Sequence, residues 1–75
     1  MVFEALREML VEILGCDESE ITLSADLRDD LGLSDGQMDE IVEALSSELG
    51  FRREDLELEE VYSVRELVKA ISVLL

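Results

Sequence analysis

Asp30-Leu31-Gly32-Leu33-Ser34-Asp35-Gly36-Gln37-Met38-Asp39-Glu40-Ile41-Val42-Glu43-Ala44-Leu45 is the stretch on which the fold turns. Met38, Ile41, Val42, Leu45 and, further on, Leu49 recur at three- and four-residue steps, which places them on one face of a helix. Ser34 and Gln37 stand at the capping-box spacing, where each side chain satisfies a backbone N–H left over at the helix start. The pattern predicts a helix that opens at Ser34 and closes at Gly50, a residue suited to the left-handed turn that ends helices. Asp35, Asp39, Glu40, Glu43 and Glu48 make its outer side strongly negative, and acidic residues in the first turn also complement the helix dipole.

Working outward, Phe3, Leu6, Leu10 and Ile13 share one helical face and predict a first helix over Val2 to Leu14, stopped by Gly15. The connection from about Cys16 to Leu33 is long for a small domain, and such loops are usually functional or hide a short helix. Ile21, Leu23, Leu27, Leu31 and Leu33 are its expected anchors on the core, and Ala25 to Asp30 is a candidate short helical turn. Beyond Phe51, residues Arg52 to Glu60 are polar and irregular, with a short helix expected around Leu56 to Val61. Ser63 and Glu66 repeat the capping-box spacing and open a last helix whose apolar face is Val64, Leu67, Val68, Ile71 and Leu75. No segment alternates as a strand. The fold class is therefore all-α, a bundle of three main helices plus one short helix with a long first loop, in a single domain over residues 1–75.

Twenty acidic residues against six basic ones leave a formal charge of −14. Such a surface repels nucleic acid and anionic membranes alike, and instead favours partners with basic patches. No apolar run approaches bilayer length and no signal pattern opens the chain, so a soluble, cytoplasmic monomer is expected. The lone Cys16 builds no disulfide framework, and with no histidine in the chain it has no such base to activate it as a nucleophile. The calcium-loop pattern fails too. Started at Asp26, it puts Leu31 where glycine is required, and started at Asp30 it puts Asp35 there. Neither an enzyme nor a metal site is expected.

Leu14-Gly15, Glu20-Ile21-Thr22, Asp30-Leu31-Gly32, Glu40-Ile41-Val42, Ala44-Leu45 and Ser63-Val64 together resemble the acyl carrier protein family, without a gap and over nearly the whole chain. The resemblance implies an up-and-down helical bundle that carries acyl groups as thioesters on a 4′-phosphopantetheine arm, attached to a serine at the start of the second helix. It also implies that this helix docks onto basic patches of enzymes in fatty-acid, polyketide or related acyl metabolism, and onto a phosphopantetheinyl transferase. Asp35, Asp39, Glu40, Glu43 and Glu48 would supply the docking charge. Met38, Ile41, Val42 and Leu45 would line the interior that shelters an acyl chain.

The family usually reads Asp-Ser-Leu where this chain reads Ser34-Asp35-Gly36, so Asp35 takes the serine register. Two readings follow. In the first, Ser34 is the attachment point, moved by one residue, a Cα shift of about 3.8 Å that a long flexible arm absorbs. A phosphate there still sits at a helix N-terminus, and Gly36 allows close approach. In the second, Ser34 is only an N-cap and Asp35 provides a permanent negative charge in place of the phosphate. The domain is then an arm-less adaptor that docks basic proteins. An unrelated acidic helical protein is a third, smaller alternative.

Fourteen unbalanced negative charges repel one another within so small a fold. Added salt or divalent cations should therefore raise the melting temperature in a thermal scan; a flat response would show that self-repulsion does not limit stability.

Overall fold

Three α-helices carry the structure: α1 (Val2–Leu14), α2 (Asp35–Leu49) and α3 (Val64–Leu74). They were obtained in a computed structural model that describes residues 2–59 and 61–75. Two single 3-10 turns, Glu18–Glu20 and Arg53–Asp55, punctuate the connections. Among the described residues no strand forms; Asp26 and Ser63 make one isolated antiparallel bridge.

The apolar stripes meet in one core. Leu6 and Leu10 come from α1, Ile41, Val42 and Leu45 from α2, and Val64, Leu67 and Ile71 from α3; all are fully enclosed. Leu27 joins them from the first loop, 1% exposed. α1 packs against both α2 and α3, so each helix loses its apolar face to the other elements rather than to water.

Both capping boxes form. At α2, Gln37 N–H donates to Ser34 Oγ (3.2 Å) while Ser34 N–H donates to Gln37 Oε1 (3.0 Å). At α3, Glu66 N–H donates to Ser63 Oγ (3.3 Å), and Glu66 Oε1 accepts from Ser63 N–H (3.0 Å) and Tyr62 N–H (3.1 Å). Those two backbone donors, Ser63 first, hold the Glu66 carboxyl below its ordinary pKa of 4.5. At the other end of α2, Gly50 takes φ +82°, and its N–H returns to Ser46 O (3.0 Å).

The first loop is stitched to the start of α3. Leu27 N–H donates to Tyr62 O (2.8 Å), Val64 N–H to Ala25 O (3.0 Å) and Arg65 N–H to Leu23 O (2.9 Å). Two of these bonds satisfy N–H groups of α3 that have no partner inside the helix. Ile21, Leu27 and Leu33 anchor the loop as expected, with Leu31 half-buried.

Several sequence expectations are corrected. Leu23 is 40% exposed, because its carbonyl, not its side chain, ties the loop down. Ala25 to Asp30 forms turns rather than a helix: Asp26 caps a single turn through the N–H groups of Arg28 (2.9 Å) and Asp29 (2.8 Å), and the turn ends where Asp30 and Leu31 N–H both bond Asp26 O and Gly32 takes φ +68°. The loop's one helical turn is instead Glu18–Glu20. There Glu18 pairs with Arg7 of α1 (3.2 Å), whose guanidinium lies over the Phe3 ring. The short helix expected over Leu56 to Val61 is replaced by the turn Arg53–Asp55. Glu60, inside that expected span, lies outside the described residues. Leu56 is buried and extended at φ −89°, ψ 118°, with Leu58 half-buried two residues on, an alternation that suits extended chain better than a helix. Leu75 follows α3 and is 60% exposed, outside the apolar face assigned to it.

Leu45 is the fully enclosed α2 residue on which this packing is tested. Leu45→Ala should cost about 2–5 kcal/mol, read as a lowered midpoint in urea unfolding. A loss below about 1 kcal/mol would mean that the core collapses around the gap and that α2 is not its centre.

Candidate functional site

The site lies where the first loop enters α2. Leu33 N–H donates to Leu27 O (3.0 Å), which closes the segment between them into a small loop, and Gly32 turns the chain there at φ +68°, a conformation other residues rarely adopt. Leu33 is buried at 4%, and Ser34 emerges beside it, exposed, in extended conformation at φ −85°, ψ 168°. Its oxygen takes Gln37 N–H, while its hydroxyl proton has no acceptor among the described residues.

Gly36 borders this hydroxyl. A Cβ built at Gly36 meets nothing closer than Ser34 Oγ, at 4.0 Å. No Cβ contact forces glycine here, although glycine in a helix interior is worse than alanine by up to about 1 kcal/mol. Next to the start of α2 lies a groove of about 480 Å³ lined by Leu27, Met38, Leu58, Val61 and Tyr62, with Arg28, Asp35 and Asp39 at its polar side.

The acidic face of α2 is placed as expected, and all five carboxylates are exposed. They are not equivalent. Asp35 Oδ1 pairs with Arg28 at 2.6 Å, Asp39 Oδ1 with Arg53 at 2.6 Å, and Glu43 more loosely with Arg53 at 3.8 Å. Glu40 and Glu48 make no ion pair among the described residues. Arg28 and Arg53 were not singled out in the sequence. Each sits in an irregular segment, so no periodicity placed it against α2.

Of the four residues expected to shelter an acyl chain, Met38 alone lines the groove. Ile41, Val42 and Leu45 are enclosed in the core, 0% exposed, and line no part of it. Cys16 is half-buried on the first loop, apart from this site, and no cluster among the described residues could hold a metal ion. The arrangement thus supplies an exposed hydroxyl at the start of a long helix, open space beside it, a guanidinium one residue away and an apolar-floored groove. Those features fit a serine-linked phosphate with a flexible arm: helix N–H groups and dipole favour the anion, and nothing crowds the hydroxyl.

Residues 4–71 match the family described by the phosphopantetheine attachment site. The acyl carrier protein of Petrotoga mobilis is 37% identical over 71 residues, covering 95% of this chain and 84% of that protein. The acyl carrier protein of Saccharopolyspora erythraea is 41% identical over 63 residues, covering 84% of this chain and 66% of that protein. The acyl carrier protein of Thermotoga maritima is 34% identical over 70 residues, covering 93% and 86% respectively.

Whatever else Ser34 does, it caps α2. Ser34→Ala should lower the unfolding free energy by about 0.5–2 kcal/mol, whereas Ser34→Asp, an equally good cap, should leave it nearly unchanged. Denaturant titration of the two variants checks this, and equal losses would mean that the cap is not what Ser34 contributes.

Proposed function

Because the chain belongs to the phosphopantetheine attachment-site family of acyl carrier proteins, we propose that Ser34 is its attachment residue and that α2 presents the cargo to partner enzymes. It is a carrier and not an enzyme, and its prosthetic group is 4′-phosphopantetheine. That group supplies a thiol at the end of a long arm, on which acyl groups are held as thioesters.

The observation that carries this reading is the Ser34 hydroxyl, exposed at the start of α2 with no neighbour crowding it from Gly36. The chain's own residues do the remaining work. Ser34 anchors the arm, and the first-turn N–H groups of α2 face its phosphate. Leu27, Met38, Leu58, Val61 and Tyr62 form the floor on which an acyl chain would first rest. Ile41, Val42 and Leu45 lie below and would admit a chain only by parting. Glu40 and Glu48, unpaired among the described residues, are the carboxylates most available to a partner's basic patch; Asp35, Asp39 and Glu43 reach it only by exchanging their internal arginines. A cytoplasmic setting suits Cys16, a free thiol.

One observation favours a second reading. Asp35 occupies the family's serine register and is already held by Arg28 at 2.6 Å, as a phosphate there would be. In that reading the carboxylate replaces the arm, and the domain is an adaptor for basic proteins.

Intact mass with peptide mapping, after incubation with coenzyme A and a broad-specificity phosphopantetheinyl transferase, separates the two. A gain of one phosphopantetheine on Ser34 is expected, abolished in Ser34→Ala and also in the well-capped Ser34→Asp. An unmodified protein beside a known carrier that is modified would transfer the conclusion to the adaptor.

A further inference from the structure

We infer that the groove between α3 and the segment leading into it is a second protein-docking surface, and that its occupant is a basic amphipathic helix of a partner protein. The inference depends neither on the arm at Ser34 nor on the acidic face of α2.

α3 carries two apolar stripes. Val64, Leu67 and Ile71 fill the core and are fully enclosed. Ala70, Val73 and Leu74 follow one another at three- and four-residue steps, so they also share a side of the helix. Val73 is 83% exposed, and the core does not need an apolar residue there. A single exposed valine on a convex surface would mean little. This one stands in a concavity: with Val61 of the preceding segment, the second stripe lines a groove of about 640 Å³, larger than the groove of about 480 Å³ beside Ser34.

The rim of this groove is acidic. Asp55, Glu57 and Glu59 line it from the incoming segment and Glu66 from α3, against one cation, Lys69. Asp55, Glu57 and Glu59 are exposed and make no ion pair among the described residues. Glu66 is held in place by the N–H groups of Ser63 and Tyr62. An apolar stripe flanked by carboxylates complements a helix with apolar anchors at three- and four-residue steps and lysines or arginines beside them. Other occupants are disfavoured by charge. A free fatty acid, a nucleic acid and an anionic membrane are all repelled. A second copy would bring a net charge of −14, and four of its six basic residues, Arg7, Arg28, Arg52 and Arg53, are already in ion pairs. Glu59 and Val61 line both grooves, so the new surface adjoins the one beside Ser34.

The test titrates the whole protein with a fluorescently labelled amphipathic peptide of leucine and lysine, and with a peptide of the same composition in scrambled order. Anisotropy gives the affinity and backbone amide NMR shifts give the place. The ordered peptide should bind about tenfold more tightly than the scrambled one, with shifts centred on α3 and residues 55–59 and 61. Val73→Asp separates groove from bare charge. It leaves the core intact and adds a negative charge, so attraction by charge alone would tighten binding. Loss of the apolar contact should instead weaken it about tenfold. Glu57→Gln with Glu59→Gln should weaken binding about threefold more than Glu8→Gln with Glu12→Gln, which removes the same charge from exposed positions of α1. Each variant is checked for cooperative unfolding. Tighter binding by Val73→Asp, equal affinity for the two peptides, equal losses in the two glutamine pairs, or shifts centred on α2 would overturn the inference.

Discussion

Three backbone hydrogen bonds between the first loop and the entrance to α3, from Leu27, Val64 and Arg65, are the constraint on which the rest of the structure depends. They supply partners for helix N–H groups that would otherwise face the interior, where an unpaired donor costs about 1–3 kcal/mol. They also fix the path of a long irregular segment that cannot hold itself in place. With that path set, Leu27 enters the core, Leu33 closes onto it, and Ser34 is delivered to the surface as the cap of α2. The site is thus a consequence of how the loop is fastened.

Charge is the second organising theme. The chain carries 20 acidic and six basic residues, and the placement of the few cations is selective. Arg28 and Arg53 lie against successive parts of the exposed face of α2, and Arg7 holds the 3-10 turn of the first loop. These pairs are exposed and individually worth little, so they relieve repulsion more than they add stability. They leave the α2 face uneven: Asp35, Asp39 and Glu43 are compensated internally, while Glu40 and Glu48 make no ion pair among the described residues. A face of this kind steers encounter at long range while keeping its internal pairs easy to exchange.

The apolar side of the site is layered. Met38, Leu58, Val61 and Tyr62 line an open groove, while Ile41, Val42 and Leu45 are close-packed in the core. Cores packed to crystal-like density open only by moving side chains together, so a cargo would enter among these residues only by parting them. α2 is therefore structural centre, acidic surface and wall of the groove at once.

Much of this was legible in the sequence because helices announce themselves locally. Apolar spacing and the caps at Ser34, Ser63 and Gly50 placed α1, α2 and α3 to within a residue or two, and the family resemblance pointed to the α2 entrance. Those signals are properties of contiguous residues, so no knowledge of the distant chain is needed to read them. The irregular segments were not legible in this way. That Leu23 would anchor through its carbonyl, that the segment capped by Asp26 would stop after a single turn, and that the second turn would form at Arg53–Asp55 all depend on the path the chain takes around the core. The partners of Asp35 and Asp39 belong to the same class. Arg28 and Arg53 reach α2 only because the loop is pinned and the chain returns after Gly50. The sequence by itself determined the helices, their buried faces and the acidic surface; the tertiary structure alone decided which charges meet beside Ser34, because that pairing follows the path of segments with no periodicity of their own.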